Sequence, residues 1–192
     1  MTIAGLVLAA GAGTRLGQPK ALVTVDGRRF VDLAVEHLRD GGADPVLVVV
    51  GATEVGHVDA IVVVNDRWAE GIGSSLGAGL AAAETYGRLA APLDGVVVTL
   101  VDQPRMGPEA VARLITVARS GAHAAVATYE GAPLHPVFLH VDSWTGVAEL
   151  AQGERGARPY LDANADRVVP VPCDGLGDAV DVDTPADLER LG

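Results

Sequence analysis

The sequence predicts an α/β protein with a Rossmann-like three-layer α/β/α fold and a mostly parallel sheet that contains one antiparallel strand. Short apolar runs rich in β-branched residues alternate with stretches of helical periodicity, which is typical of parallel strands joined by crossover helices. Only four residues separate the strand-like runs 122–128 and 133–140. Because a crossover helix does not fit in that gap, we expect this pair to be antiparallel.

The individual elements follow from the same patterns. Strands are expected where apolar runs have strand length, at 3–9, 45–50, 60–64, 96–101, 122–128, 133–140, 168–171 and 179–182. Helices are expected where apolar residues recur every three or four positions, at 30–41, 74–86, 109–118, 142–151, 156–163 and 185–191. In the first helix Phe30, Leu33 and Leu38 share one face, and Gly41 ends the pattern. Pro108 marks the start of the third helix.

Composition and charge restrict the class of partner. The 192 residues are 49% hydrophobic, and we expect one folded domain over 1–192. The net charge of −11 argues against nucleic acid or an anionic membrane as a partner, because both need a basic face. The single cysteine, Cys173, excludes a disulfide framework. The apolar N-terminal run is too short to span a membrane and lacks a basic leader, so we expect a cytoplasmic protein.

A glycine-rich loop follows the first predicted strand. Gly11, Gly13 and Gly17 stand within seven residues, and Arg15 and Lys20 lie in or just after them. At the carboxyl edge of an open α/β sheet, such glycines let backbone N–H groups approach an anion. Two nearby cations suit a triphosphate, which carries more negative charge than the pyrophosphate of a dinucleotide. A tight turn with two solvated basic side chains is the alternative.

The same loop differs from two other phosphate-binding loops. Its spacing Gly11-x-Gly13-x-x-x-Gly17 misses the dinucleotide fingerprint by one residue. The second predicted strand ends in Val50-Gly51-Ala52, which offers no acidic side chain for a ribose. A Walker loop would need Gly-Lys-Ser/Thr at a fixed spacing. An NAD(P)-dependent oxidoreductase is therefore disfavoured relative to a protein that binds a nucleoside triphosphate.

Six sequence blocks are distributed along nearly the whole chain. They are Gly11-Ala-Gly-Thr-Arg15-Leu-Gly17-Gln-Pro-Lys20, Asn65-Asp-Arg-Trp68-Ala-Glu-Gly71-Ile-Gly73-Ser-Ser75-Leu, Val101-Asp102-Gln-Pro104, His135-Pro136-Val-Phe, Gly153-Glu-Arg-Gly-Ala-Arg158 and Asp181-Val-Asp183-Thr-Pro185. In this order they resemble the MobA-like nucleotidyltransferases, and within that family the molybdenum-cofactor cytidylyltransferases and their relatives. The resemblance implies the fold of the nucleotide-diphospho-sugar transferases.

The resemblance implies that the glycine-rich loop holds the nucleotide. Arg15 would bind the departing β- and γ-phosphates, and Lys20 would lie at the α-phosphate. The expected nucleotide-binding residues are Leu8, Ala9, Ala10, Gly11, Gly13, Thr14, Arg15, Lys20, Gly73, Ser74 and Ser75. For Ser74 and Ser75, plain capping of the following helix is the alternative. In the family, Leu-Ala-Ala-Gly at the first loop goes with a base other than guanine, which favours CTP.

The resemblance also implies a Mg²⁺ site. Asp102 would coordinate the ion, and it follows the fourth predicted strand at the same sheet edge as the glycine-rich loop. Mg²⁺ takes one or two carboxylates together with phosphate oxygens. Asp183 is the expected second ligand, with Asp181 as the alternative, and capping of the last helix would explain Asp183 equally simply. Asp102, Arg15 and Lys20 form the expected catalytic set.

A second group of residues is assigned to the acceptor. His135 and Pro136 are expected in the wall of its site, although a packed histidine at a strand start is the alternative. Arg155 and Arg158 are hypothesised to meet its phosphate, with a solvated basic turn as the alternative. Trp68 is expected to cover the acceptor or the base, and core packing would explain it as well. No histidine is needed as a general base, because a phosphate acceptor is already ionised near neutral pH.

Together these observations predict Mg²⁺-dependent transfer of a nucleotidyl group, CMP being favoured, to a small phosphorylated acceptor such as the molybdopterin cofactor, with release of pyrophosphate. Transfer to a sugar or alditol phosphate is the alternative within the same reaction class. A non-catalytic nucleotide-binding module is the alternative from another class. The expected partners are the NTP, the acceptor and a molybdoenzyme maturation partner, and the chain is expected to be a monomer.

Overall fold

A seven-stranded sheet with helices on both faces forms the centre of the molecule, and the computed structural model describes residues 1–191. The strands of this sheet are β1 (Ile3–Leu8), β4 (Val46–Val50), β5 (Ile61–Val64), β6 (Gly95–Leu100), β7 (Ala124–Tyr129), β8 (Ala132–His140) and β9 (Val168–Pro172). A separate hairpin consists of β2 (Thr24–Val25) and β3 (Arg28–Arg29). The helices are α1 (Phe30–Asp40), α2 (Ile72–Leu89), α3 (Pro108–Arg119), α4 (Trp144–Leu150), α5 (Arg158–Ala163) and α6 (Pro185–Glu189).

The order of the strands confirms the predicted fold class. They lie in the order β5-β4-β1-β6-β8-β7-β9, and in the described sheet β8 alone runs antiparallel to its neighbours. Glu130 and Gly131 connect β7 to β8, with φ angles of 51° and 79°. Two successive positive φ angles are typical of the tight hairpin turns that match the twist of antiparallel strands. The short gap between the two runs therefore predicted their pairing correctly.

The core has one apolar layer on each face of the sheet. All six residues of β1 are buried, and its side chains alternate between the two layers. Ile3 and Val7 pack on the side of α1 and α3, whereas Ala4 and Leu6 pack on the side of α2 and α4. Because both faces of β1 are covered, the strand is held at the centre of the sheet and its carboxyl end is fixed.

The predicted strand 179–182 is wrong, because this segment forms no strand in the structure. Its backbone is bound to the loop after β6 instead. Asp178 donates its N–H to the carbonyl of Arg105, and Val182 donates its N–H to the carbonyl of Asp102, both at 2.9 Å. The segment therefore runs beside a loop and not beside another strand.

Two local details also differ from the prediction. Helix α2 begins at Ile72, two residues before the predicted start, directly after Gly71 with φ of 100°. The hairpin of β2 and β3 was not predicted. In its turn, Asp26 and Gly27 have the positive φ angles of 52° and 74° that such a turn requires.

Within residues 1–191, none of the helices has the length and apolar character needed to cross a bilayer. The extent of a single domain over 1–192 stays a prediction, and Gly192 lies outside the described residues.

Candidate active site

The carboxyl ends of three neighbouring strands meet at one edge of the sheet. Ala9, directly after β1, donates its N–H to the carbonyl of Val49 in β4 at 2.9 Å. Val101, directly after β6, donates its N–H to the carbonyl of Leu8 at 3.2 Å. These hydrogen bonds hold the glycine-rich loop and the loop that carries Asp102 next to each other, at the edge where open α/β sheets bind ligands.

The glycine-rich loop is a tight turn in which two glycines have different functions. Gly13 has φ of 64°, and a Cβ built there would lie 1.9 Å from the carbonyl oxygen of Gln18. Glycine is therefore required at this position by the backbone itself. A Cβ at Gly11 would meet no protein atom within 4 Å. The space in front of Gly11 is thus available to a ligand.

Two cations and two carboxylates form one network beside this turn. The Nζ atom of Lys20 lies 2.6 Å from Oδ2 of Asp102 and 2.5 Å from Oδ1 of Asp183. The Nη1 atom of Arg15 lies 3.0 Å from Oδ2 of Asp183. The Lys20 and Asp102 side chains are 17% and 15% exposed, so this pair is largely shielded from water, whereas Arg15 is 73% exposed.

The network shifts the proton affinities of its members. Burial lowers the pKa of Lys20, but the hydrogen bonds and charges of Asp102 and Asp183 outweigh burial, so that its pKa is raised. The hydrogen bond from Lys20 is the main cause of the lowered pKa of Asp183. Both shifts favour the charged forms, so the ammonium and the Asp183 carboxylate persist together at neutral pH.

Asp183 reaches this site because the segment before α6 folds back along the loop after β6. Helix α6 is capped by Thr184, whose side chain accepts from the N–H of Asp187 while the Asp187 carboxylate accepts from the N–H of Thr184. The capping function that Asp183 could have had is therefore performed by Thr184. The carboxylate of Asp183 is left free to bind Lys20 and Arg15.

Asp181 lines the same cavity as Asp102 and is bound to Gln103. Its Oδ1 atom accepts a hydrogen bond of 2.9 Å from Nε2 of Gln103, which also donates to the carbonyl of Ala179 at 3.0 Å. Burial raises the pKa of Asp181, the charge of Asp102 adds to this, and the Gln103 hydrogen bond opposes it. Asp181 and Asp183 are thus both near Asp102, but Asp183 alone of the two is bound to Lys20.

The carboxylates fit a hard divalent cation that is shared with phosphate oxygens. Oδ1 of Asp102 is buried and has no hydrogen-bond partner among the described residues. A buried carboxylate oxygen without a partner is costly unless a cation or donor meets it. Across residues 1–191 there is no group of three or more His, Cys, Asp or Glu side chains that could hold a metal by themselves. An ion here would therefore need the substrate's oxygens as further ligands.

A cavity of about 510 Å³ opens above the loop and the charged network. Its lining residues are Leu8, Ala10, Gly11, Ala12, Gly13, Thr14, Arg15, Lys20, Trp68, Ala69, Gly71, Ile72, Ser75, Leu100, Val101, Asp102, Glu154, Asp181 and Asp183. We call it the loop cavity. Both of its cations, Arg15 and Lys20, lie at the end formed by the glycine turn. Apolar side chains such as Leu8, Trp68 and Ile72 form other walls, so the cavity combines an anion-binding end with an apolar part.

A second cavity of about 570 Å³ adjoins the first and is more apolar. Its walls are mainly Leu76, Val98, Val126, Pro133, Leu134, Val137, Leu161, Val168 and Pro170, together with polar Gln103, Thr128, His135, Arg155, Arg158 and Asp162. We call it the strand cavity. Leu8, Ile72, Leu100, Glu154 and Asp181 line both cavities. Molecules bound in the two cavities would therefore meet beside Asp181.

The structure brings most of the predicted acceptor residues to the strand cavity. Arg155 and Arg158 line it with exposed side chains, and His135 lines it with a half-buried ring. Burial lowers the pKa of His135 to about 4, against the opposing charge of Asp102, so that the ring is neutral at pH 7. Pro136 is buried, but it is not among the residues that line either cavity in the described chain. Trp68 lies in the loop cavity.

The second predicted nucleotide-binding segment is placed only in part at the loop cavity. Ser75 lines it, whereas Gly73 and Ser74 are not among its lining residues. A Cβ at Gly73 would lie 2.6 Å from the carbonyl oxygen of Ala151, so Gly73 permits close packing. Ser74 directs its hydroxyl to the carbonyls of Arg67 and Gly71. Ala9 is buried in the core, and its N–H is already bound to β4.

Three polar residues of the site were missed by reasoning from the sequence. Asn65 binds the serines at the start of α2, Gln103 positions Asp181, and Glu154 lines both cavities. Each lies inside one of the blocks that carried the family resemblance. The signal was therefore present, but residue type alone does not show which polar side chain in a block faces a cavity.

An open α/β sheet with a cationic glycine turn and two carboxylates at one edge is typical of nucleotide-binding proteins. Residues 5–168 match the model of the MobA-like NTP transferase domain, and the chain belongs to this family. Its fold is that of the nucleotide-diphospho-sugar transferases. The resemblance inferred from the six blocks is confirmed.

Three proteins similar to this chain have names that refer to different properties. The chain is 34% identical to the nicotine blue oxidoreductase of Paenarthrobacter nicotinovorans, over 98% of this chain and 96% of that protein. It is 30% identical to the probable molybdenum cofactor guanylyltransferase of Opitutus terrae, over 84% of this chain and 78% of that protein. A crystal structure of Rv0371c from Mycobacterium tuberculosis H37Rv, in complex with manganese, has 26% identity and a TM-score of 0.75, and covers 100% of this chain and 98% of that chain.

Proposed function

We propose that the chain transfers a nucleotidyl group, CMP being favoured, from an NTP to a small phosphorylated acceptor and releases pyrophosphate. The observation that carries the proposal is the position of the Lys20 ammonium, 2.6 Å from Asp102 and 2.5 Å from Asp183, beside a glycine turn that leaves space for an anion. A protein that only binds nucleotides does not require a lysine bound to two carboxylates next to a triphosphate.

The NTP fits the loop cavity with its phosphates at the glycine turn. The N–H groups around Gly11 and Gly13 would face the phosphates, and Arg15 would bind the departing β- and γ-phosphates. Because Arg15 is mostly exposed, its guanidinium can follow pyrophosphate out of the site. Lys20 would leave its carboxylates for the α-phosphate, where its charge stabilises the reaction's transition state.

A divalent ion, Mg²⁺ in our proposal, would be held by Asp102 and Asp183 and would neutralise charge that develops on the phosphates. The unpartnered Oδ1 of Asp102 supports a divalent ion at this place, and the crystal structure of the similar protein Rv0371c is a complex with manganese. The protein's contribution to the reaction is position and charge, because a phosphoryl centre needs little covalent help from side chains.

The acceptor fits the strand cavity. We propose that Arg155 and Arg158 attract its phosphate and that neutral His135 offers a hydrogen bond to its body. The walls from Val98, Val126 and their neighbours give few partners to hydroxyl groups, and an unpaired buried hydroxyl costs about 1–3 kcal/mol. A ring-bearing acceptor such as the molybdopterin cofactor is therefore favoured over a sugar or alditol phosphate.

Oxidoreduction is the second candidate, because one relative is called an oxidoreductase at 34% identity. The end of β4 argues against a dinucleotide in this chain. A Cβ at Gly51 would lie 2.4 Å from Cβ of Trp68, so the place where a ribose-binding acid would stand is filled by the tryptophan. We propose nucleotidyl transfer as the activity on this ground.

Turnover with four NTPs and candidate phosphorylated acceptors, followed by pyrophosphate release with and without Mg²⁺, tests the proposal. We expect Mg²⁺-dependent, acceptor-dependent release that is fastest with CTP. Tight binding of NAD(P)H together with no pyrophosphate from any NTP would favour the oxidoreductase instead. We further propose a cytoplasmic monomer that passes its product to a molybdoenzyme maturation partner.

A further inference from the structure

Strand β5 forms one outer edge of the sheet, and β4 is its only partner strand in the described chain. The N–H of Asn65, directly after β5, donates to the carbonyl of Val50 in β4 at 2.8 Å. Since successive residues of a strand direct their backbone groups to opposite edges, Val62 and Val64 direct their N–H and carbonyl groups away from β4. These groups therefore lie at an open edge of the sheet.

The opposite outer edge of the sheet, formed by β9, has residues that oppose pairing. Cys173, directly after β9, donates its N–H to the carbonyl of Thr128 in β7 at 2.8 Å. By the same alternation, Pro170 and Pro172 are among the residues of β9 that face outward. Proline has no N–H, and prolines on an edge strand prevent a sheet from pairing with another chain. The outward positions that are prolines in β9 are valines in β5.

The side chains of β5 are exposed, although all four of its residues are apolar. Ile61, Val62 and Val64 are 41%, 44% and 67% exposed. The strand contains no charged residue and no proline, and its register with β4 is regular. A regular, apolar and exposed edge of this kind accepts a further strand from another chain.

Acidic side chains lie at both ends of β5. Asp59 precedes the strand with a side chain that is 82% exposed, and Asp66, which is also exposed, follows it. The whole chain has a net charge of −11. Complementary charge therefore favours an apolar segment that has basic residues on either side.

A second copy of this chain is a poorer occupant of the same edge. A pair of strands as short as β5 would bury far less than the roughly 1,200 Å² of a stable interface between two proteins. Two chains that each have a net charge of −11 also repel each other. A transient contact with a basic segment of another protein has neither difficulty.

We propose that the outer edge of β5 binds an extended apolar segment of another protein, flanked by lysine or arginine residues, which adds a strand to the sheet. The backbone groups of Val62 and Val64 pair with this segment, and every second side chain of the segment covers these two valines. No residue of β5 lines either of the two cavities described, so this surface is separate from the candidate active site.

A fluorescent peptide in which valine and threonine alternate between terminal lysines tests the proposal on the full chain. We expect saturable binding by fluorescence anisotropy. Hydrogen exchange measured by NMR should show that the peptide slows exchange of the amides of Val62 and Val64, whereas the amides of Ile61 and Val63, which face β4, exchange slowly without it. A peptide with terminal serines should bind more weakly, and the difference should decrease at high salt.

Two variants of β5 and one control show whether pairing at this edge causes the binding. Val64→Pro removes an outward N–H and should weaken peptide binding at least about tenfold, the value of one hydrogen bond. Val62→Lys keeps the backbone donor but repels the terminal lysines, so it should also weaken binding, and it provides the test if Val64→Pro does not fold. Val169→Lys adds the same charge to a valine of β9 that is 38% exposed, and should bind the peptide like the wild type.

Three results would overturn the proposal. The first is a wild-type chain that does not bind the peptide. The second is binding that leaves the exchange of Val62 and Val64 unchanged, because the peptide would then lie elsewhere. The third is a wild-type dimer in analytical ultracentrifugation that Val64→Pro dissociates, because the edge would then belong to a second copy of the chain. None of these measurements involves an NTP, so the proposed function is tested separately.

Discussion

Replacement of Lys20 by Met tests the charged network in the active site most directly. The substitution keeps an unbranched side chain but removes the ammonium that lies 2.6 Å from Asp102 and 2.5 Å from Asp183. We expect kcat to fall by about 10²–10³, the usual cost of removing one preorganised charge from a transition state. Asp102→Ala should cause a loss of similar size, for the same reason.

The structure also gives the effect of Lys20→Met on stability. Asp102 is only 15% exposed, so water screens its charge little and the loss of Lys20 should destabilise the folded chain. Asp183 is 30% exposed and still has its ion pair with Arg15. The removal of one partner from such a pair leaves buried charge uncompensated, and we expect the free energy of unfolding to fall by about 2–4 kcal/mol. For a chain of this size, the melting temperature should fall by roughly 5–15 °C.

Thermal unfolding and pyrophosphate release measure these two effects on the same samples. Arg39→Met is the matched control, because Arg39 also binds a carboxylate, that of Asp59, but both side chains are exposed at 42% and 82%. Its loss should change stability by less than about 1 kcal/mol. Normal turnover and unchanged melting of Lys20→Met would refute the reasoning.

Three further predictions concern other parts of the site. Because the pKa of His135 is lowered to about 4, the unfolded chain binds a proton below pH 6.5 that the folded chain does not. The ring is only half-buried, so stability should fall by about 1–2 kcal/mol from pH 7 to 4. Denaturant titrations at several pH values should show a smaller loss in His135→Gln. Reversal of charge at Arg155 and Arg158 should raise the acceptor's KM, measured by steady-state kinetics, and leave NTP affinity, measured by calorimetry, unchanged. A weaker affinity for the NTP would show that the assignment is wrong. Gly13→Ala should destabilise the chain by at least about 1–3 kcal/mol, because alanine is strained at this positive φ. Gly11→Ala should have the melting temperature of the wild type but bind NTPs less tightly. Equal melting temperatures of the two variants would contradict this difference.

The aspartates of the site show which features could be inferred from the sequence and which could not. Asp102 could be placed at the sheet edge because it directly follows a buried strand, and that relation is local. The choice between Asp181 and Asp183 could not be made, because Asp183 meets a lysine 163 positions away in the sequence. Two residues apart on an extended segment, the two carboxylates look alike until the segment is packed against the loop after β6.

The remaining errors have the same origin. The run 179–182 has the composition of a strand, but whether an extended segment becomes a strand depends on the partner that its backbone finds. Here the partner is the loop that contains Asp102 and Arg105. The function of Trp68, at the acceptor or at the base, stays a prediction, and its position in the loop cavity, where it closely approaches Gly51, became visible only in the folded chain.

The sequence by itself determined the order and kind of the main elements, the antiparallel hairpin, the cationic glycine turn and the family. These properties are encoded by periodicity, turn length and glycine spacing, which act over a few neighbouring residues. Only the tertiary structure decided which carboxylate binds Lys20, which serine faces the cavity and how two cavities meet beside Asp181. Those features depend on contacts between segments distant in the chain, and the geometry of such contacts is fixed only when the core packs.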